Sequence, residues 1–421
     1  MDNLCIKCKG KGLCGKPCRI LNNFKQNAPK PKLHFSGKSA PELFVGRIGY
    51  PYINAGILTP QDNDNISNFP SAEEWSSNNF SVANVLRLRG QLIYGKAKTH
   101  IKGTDKIKQI TQELALSSEP VSTEIFLKKK PTLQFTIDKV FQPMTNPAPI
   151  KKAILEENPS VPKKVDYLIN DTDVKSVTAL NELYKSNIKI DHLQKLLSIG
   201  LLGKKAARRM VPTRWSITAT DDTISKEHLK KIRYFSHANQ ITLYSGNYLG
   251  NYIEALILPG MFSFEAIEAW QQGSTYHHEE NMGESENSFP QVPSPKSQIP
   301  RATELTADYE AFNGRKSYAY NVTGGYYAMR LPLTQHLLKI KRQASILMFR
   351  EIRPEYYAPL GVGIVRETAR RTFQNPPKHF DTVEEALQNI QTRIKTSVET
   401  IKQKSWLLNN YNKQKSIFDF C

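Results

Sequence analysis

Two hydrophobic periods alternate along this chain, and that alternation constrains the fold more than any other feature of the sequence. From residue 43, "LFVGRIGYPYINAGIL" mixes β-branched and aromatic residues with Gly and Pro, as strands joined by tight turns require. "FSVANVLRLRGQLIYGKA" (80–97) reads as a strand pair, and "RWSITATDD" (214–222) as a strand running into a turn. In contrast, "TALNELYKSNIKIDHLQKLLSIGLLGKKAARR" (178–209) places Leu193, Leu196, Leu197 and Leu201 on one helical face. "NYIEALILPGMFSFEAIEAW" (251–270) reads as a strand leading to a short helix, and residues 324–352 as a helix followed by the strand "SILMFREI". A final helix begins at Asp381, with Glu384 completing a capping-box-like start. Its apolar stripe is Ala386, Ile390, Ile394, Val398 and Ile401. These segments predict an α+β protein, a mixed sheet-and-helix core with small modules added at its ends.

The boundaries follow from composition. Residues 1–26 form a small cysteine-bearing, zinc-finger-like module, and 27–42, rich in Pro, Lys and Ser, reads as a linker. The core occupies 43–270 and 304–380. The intervening 271–303 is polar, contains four prolines and reads as a long mobile loop. The C-terminal helix covers 381–410 and a tail covers 411–421.

Charge narrows the partners. Lys and Arg outnumber Asp and Glu by 58 to 39, a net +19, which favours polyanions such as nucleic acid or nucleotides. Lys7, Lys9, Lys11, Lys16, Arg19, Lys25, Lys30 and Lys32 concentrate that charge near the N-terminus. Apolar runs fall short of the roughly 20 residues a membrane span needs. The opening "MDNLCIKCKGKG" lacks a signal-peptide core, so a cytoplasmic, nucleoid-associated location is expected.

Cys5, Cys8, Cys14 and Cys18 are spaced C-x2-C-x5-C-x3-C, with Gly10, Gly12 and Gly15 between them. Four thiolates at this spacing suit a structural Zn²⁺ and leave no open position for catalysis. An iron–sulfur cluster is the other reading, although the spacing is not that of the common ferredoxin patterns. "GQLIYGKA" (90–97) approaches the phosphate-loop pattern, but Ala97 replaces the Mg²⁺-binding hydroxyl and no helix is expected to follow. His277, His278, Glu279 and Glu280 lie in the polar loop with no helix to fix a metal geometry, and read as solvated residues.

Arginines embedded in apolar, glycine-bearing segments form another set. Arg47 and Tyr50, Arg214, Asp221 and Asp222, Tyr327 and Arg330, and Glu351 and Arg366 could converge on a phosphate-bearing ligand such as a nucleotide. They could equally be internal salt bridges, because a guanidinium near a core must be paired or bind an anion. The expectation leans towards a site.

The chain runs off in "YNKQKSIFDFC". Large apolar groups in water at a terminus either fold back or are held out for a partner. Gln414, Ile417 and Phe420, with Phe418 and the final Cys421, resemble the peptide that binds the PCNA sliding clamp. In that peptide a one-turn helix inserts aliphatic and aromatic anchors into a pocket. The usual second aromatic is replaced by Cys421.

Taken together, the cysteine finger, "FVGRIGYPYINAG", "VPTRWSITATDD", "GGYYAMRLPL", "KRQASILMFREIRPEYYAPLGVGIVRE" and the tail resemble the archaeal Nre family of DNA repair proteins. The resemblance implies a repair role in partnership with DNA and the PCNA clamp. It supplies no agreed reaction for the core. The expected function is therefore a clamp-recruited repair factor whose finger and core bind nucleic acid or a phosphorylated nucleotide. The alternatives are an enzyme processing a nucleotide, NAD or a DNA phosphodiester, and a non-catalytic adaptor.

Overall fold

A computed structural model of the chain describes residues 8, 17–39, 42–61, 71–271, 274 and 305–411. Helix α1 (Arg19–Asn27) leads into strands β1 (His34–Ser39), β2 (Glu42–Val45) and β3 (Tyr52–Pro60). Helices α2 (Ala72–Ser77) and α3 (Val82–Gly90), strand β4 (Leu92–His100) and helix α4 (Lys106–Leu116) come next. Then follow β5 (Val121–Leu127), β6 (Phe135–Thr136), β7 (Met144–Thr145) and β8 (Pro147–Leu155). A helical stretch contains α5 (Lys163–Asn170), α6 (Ser176–Lys185), α7 (Ile190–Ser198) and the long α8 (Thr213–Ile232). Strands β9 (Ile241–Tyr248), β10 (Asn251–Leu258), β11 (Ser263–Trp270) and β12 (Leu305–Glu310) precede α9 (Gly324–Ile340). The remainder is β13 (Ser345–Ile352), α10 (Val362–Gln374), β14 (Lys378–Phe380), α11 (Val383–Gln391), α12 (Val398–Lys404) and α13 (Trp406–Tyr411).

Two six-stranded mixed sheets organise these elements, so the α+β class holds. The first has the order β1-β5-β8-β4-β3-β2 and the second β12-β11-β13-β10-β9-β14. Each contains one parallel pair, β4 with β8 and β11 with β13. One face of the second sheet carries α8, α9 and α10 over Ile253, Phe264 and Met348, with Tyr326 of α9 packed on Phe264, and the other carries α11 to α13 over Leu256, Leu347 and Phe349. A further core joins the sheets: Phe24 of α1, Trp75, Leu86 and Leu92 pack with Tyr248, Ile352 and Tyr356.

Several local expectations are corrected. Residues 214–222 are not a strand but the first half of α8. Their Ser, Thr and Ile content disfavours helix, yet helices α6, α7 and α9 pack around them and bury Ser216, Thr218 and Thr220. Most of the hydroxyls are satisfied within the helix, Ser216 Oγ donating to Thr213 O (3.0 Å), Thr218 Oγ1 to Trp215 O (3.2 Å) and Ser225 Oγ to Asp221 O (2.7 Å), while Thr220 Oγ1 is buried without a partner among the described residues. The 80–97 segment is helix then strand. Ser81 and Asn84 close a capping box, and the Val82, Val85, Leu86, Arg89 spacing then buries one helical face. "SFEAIEAW" is strand β11, not a helix, because its position between β12 and β13 overrides a helix-forming composition. Residues 178–209 divide into α6, α7 and a short 3-10 turn at Lys205–Ala207. At Gly200 (φ +77°) a Cβ would stand 2.5 Å from Arg209 C, which enforces one of those breaks.

The expected linker, 27–42, contributes the edge strand β1, which pairs with β5 from His34↔Phe126 to Ser39↔Val121. The single C-terminal helix is three. Its first cap is Thr382, whose Oγ1 accepts from Glu385 N (3.2 Å), one residue later than expected. Buried carboxylates explain the breaks: Glu351 accepts from Lys395 N and Thr396 N (both 2.8 Å to Oε2), and Glu265 from Trp406 N (2.8 Å) and Leu407 N (3.0 Å). Most of the loop 271–303, including His277 to Glu280, lies outside the described residues, as do Cys5, Cys14 and the whole clamp-like motif, Gln414 to Cys421.

Candidate functional site: ionic networks around a central helix

Neighbouring residues on a helix point about 100° apart, so Asp221 and Asp222 on α8 reach different partners. Asp222 meets Arg330 of α9, whose Nη2 donates to Asp222 Oδ1 (2.8 Å). The same guanidinium gives Nη1 to Glu310 Oε2 (3.1 Å) and Nε to Ser225 Oγ (3.0 Å), and lies 5.8 Å from the centre of the Tyr326 ring. Arg330 is 0% exposed. Its donors are spent on protein groups, so this cluster reads as an internal clamp joining β12, α8 and α9. Tyr327 belongs to the same neighbourhood, its hydroxyl accepting from Ala319 N (3.0 Å).

Asp221, fully buried, takes the Nη2 of Arg366 on α10 (3.0 Å). Arg366 Nη1 lies 3.6 Å from Asp191 on α7, and Gln194 Nε2 lies 3.4 Å from Asp221. From Asp191 and Gln194 the polar path enters a cavity of about 90 Å³, also lined by Glu42, Arg89, Lys195, Ser198 and Thr213. Arg89 is itself buried; its Nη1 donates to both oxygens of Glu42 (2.5 and 2.6 Å) and its Nε to Pro143 O (2.7 Å). Burial pushes the Glu42 carboxyl up and brings the Lys195 ammonium down to about 8, against the pull of Asp191 and Glu42. The cavity has room for a few waters or a small anion, whereas ligand pockets run to roughly 300–1,000 Å³.

A wider cleft of about 420 Å³ opens between α2 and α10, lined by Glu73, Ser76, Asn247, Glu367, Arg370 and Arg371. Arg371 is held there by Ser76 and by Asn79 Oδ1 (2.7 Å) and stacks over Tyr248, 4.2 Å from the ring centre. Arg370 Nη1 donates to Glu367 (2.6 Å). This cleft is in the size range of a small-ligand site.

The expected set therefore does not converge on one pocket. Arg214 pairs with Asp138 (2.9 Å) at the start of α8. Arg47 is exposed in the turn between β2 and β3, where the Tyr50 ring lies 6.1 Å from Trp215. Glu351 is fully buried and engaged by Arg353 Nε (2.7 Å) and the backbone ahead of α12, so it docks the C-terminal segment. Glu42, Arg89, Asp191, Lys195 and Glu310 were missed. For Arg89 the signal was present: an arginine in register with Val82, Val85 and Leu86 on an apolar helical stripe. Strand periodicity concealed it.

Cys18 caps α1, its Sγ accepting from Leu21 N (3.3 Å), and Cys8 is buried. A sulfur at a helix N-terminus that already accepts an N–H suits a thiolate ligand. Cys5 and Cys14, the other two expected ligands, lie outside the described residues.

Comparison with known proteins places the molecule. A model described as "Archaeal Nre, N-terminal" matches residues 13–277, and one described as "Archaeal Nre, C-terminal" matches 310–420. The chain belongs to the archaeal Nre family. It is 30% identical to NreB of Archaeoglobus fulgidus over 99% of both chains, and 31% identical to NreA of that organism over 93% of both. It is 30% identical to NreA of Haloferax volcanii over 91% of this chain and 88% of that protein. Each of these relatives is named a DNA repair protein. No solved structure matches the chain. The family's N-terminal match takes in Cys14 and Cys18 but starts after Cys5 and Cys8. Its C-terminal match takes in Gln414, Ile417, Phe418 and Phe420. Among the described residues of this Nre protein, no helix is long and apolar enough to cross a membrane.

Proposed function

We propose that this Nre protein is a DNA repair factor recruited to the PCNA sliding clamp by its C-terminal peptide. The observation that carries the repair role is the similarity, over 99% of the chain, to a protein named for DNA repair. The tail supports the recruitment. Gln414, Ile417 and Phe420 keep the anchor spacing of a clamp-binding peptide and follow the polar stretch "NNYNKQK". Cys5, Cys8, Cys14 and Cys18 hold a structural zinc that folds the basic N-terminal module. The net charge of +19 supplies the attraction to DNA.

A titration of purified PCNA with the full chain tests the recruitment. Phe420→Ala should weaken binding about tenfold to a hundredfold, the loss of one hot-spot aromatic. The melting temperature should stay unchanged. Equal affinity for the parent, for Phe420→Ala and for a chain ending at Lys413 would remove the tail from the clamp interface.

A further inference from the structure

The first sheet has one face packed on its core and an outer face that is open over part of its width. Ile53, Ala55 and Ile57 of β3, and Ala148, Ile150 and Ala153 of β8, turn inward. The residues between them turn out. Registers then decide which outward side chains are neighbours. His34, Phe126 and Lys152 form one row across β1, β5 and β8. On β4 and β3, Lys98 stands opposite Asn54 and His100 opposite Tyr52.

The result is an aromatic and basic surface. The His34 ring stacks on Phe126 at 4.3 Å with the planes 10° apart, and Lys152 Nζ lies 5.9 Å from the centre of the Phe126 ring. Tyr52, 57% exposed, lies 5.0 Å from His100. Phe126 on β5 and Tyr52 on β3 are three strand spacings apart, about 14 Å, so the ring pairs are within reach of one short nucleic-acid segment. Lys96 and Lys98 lie on β4, and Lys128, Lys129 and Lys130 follow β5 directly and are exposed. The carboxylates here are already engaged: Glu124 with His34 (2.7 Å), and Glu156 with Ser36 (2.7 Å) and Ser122 (2.5 Å). Lys96, Lys98, Lys128, Lys129, Lys130 and Lys152 outnumber Glu124, Glu156 and Glu157, so the face keeps a net positive charge that attracts an anion.

We infer that this open face binds single-stranded DNA, with the outer ring of the His34–Phe126 stack and Tyr52 as stacking surfaces for unpaired bases and the lysines on the phosphates. Stacking on exposed rings needs bases that are not already stacked in a duplex, and it tolerates any sequence. The inference rests on the repair reading above and adds to it the form of DNA and the surface that holds it.

Fluorescence anisotropy of the full-length protein with a labelled oligothymidine of about 16 nucleotides, and with a duplex of the same length, tests it. Tyr52→Ala should weaken single-strand binding about fivefold or more. Lys98→Gln combined with Lys152→Gln should lower the slope of log affinity against log salt by about 1.4, roughly 0.7 for each phosphate contact. Thermal melts matching the parent confirm that both variants fold. If the parent binds the oligothymidine and both variants bind it equally well with the same salt slope, the platform is wrong and the repair reading stands. If the parent binds only duplex, the single-strand assignment is wrong. If it binds neither, the platform and the DNA contact of the repair reading fall together.

Discussion

Replacing Arg330 with Met keeps most of the side chain's volume and removes its charge. The parent guanidinium is 0% exposed and bridges Glu310, whose side chain is 1% exposed, to Asp222, at 26%. After the change Asp222 keeps Lys226 (2.7 Å) and its contact with water, so its loss is small. Glu310 has no such relief and is left as a buried charge. Removing one partner of a buried pair costs about 3–5 kcal/mol. Urea unfolding followed by circular dichroism should show a fall of that size, read from the midpoint at constant slope. Adding Glu310→Gln should recover part of it, and the double-mutant cycle should give a coupling of about 2 kcal/mol or more. Arg214→Met is the internal control. Its pair with Asp138 is 25% and 18% exposed, so the expected cost is about 1 kcal/mol. If Arg330→Met stays within about 0.5 kcal/mol of the parent, the clamp reading is refuted, and Arg330 becomes an arginine waiting for a ligand.

Burial lowers His192, His228 and His336 to about 4 from a usual value near 6.5. The folded state therefore resists protonation. The stability these rings contribute as neutral groups is complete above about pH 6.5 and is lost as pH falls from there towards 4. Fully buried rings contribute roughly 3 kcal/mol each, and the half-buried His336 contributes less. Urea midpoints measured across that window should fall steeply, and a flat profile would contradict the buried neutral rings. For the metal, elemental analysis of purified protein should give one zinc per chain. Iron in its place, or no metal in protein with fully reduced thiols, would refute the zinc assignment.

Local patterns in the sequence carried much of the fold. The strand Ser345–Ile352 was legible residue for residue, because a β-branched and apolar run bounded by polar residues has few other solutions. The helix that begins at Gly324 and the α+β class were legible for the same reason. The charged core was only half legible. That Asp221, Asp222, Arg330 and Arg366 could not stand unpaired near a core followed from desolvation alone. Which residues would satisfy them did not follow: Arg330 is engaged by Glu310 and Asp222, and Glu351 by Arg353 and the backbone of residues 395 and 396.

The sequence by itself determined the family, the class of fold, the cysteine spacing and the anchor pattern of the tail, all set by short-range periodicity or motif. Tertiary structure decided that residues 214–222 are helical, because neighbours surround them on several sides. It decided that the last helix breaks twice, because the buried carboxylates of Glu351 and Glu265 capture its backbone. It also chose the partners of the buried arginines. Asp222 lies 108 residues from Arg330 and Asp221 lies 145 from Arg366, distances over which no local period carries information. Only the packing of α8 against α9 and α10 brings those charges together.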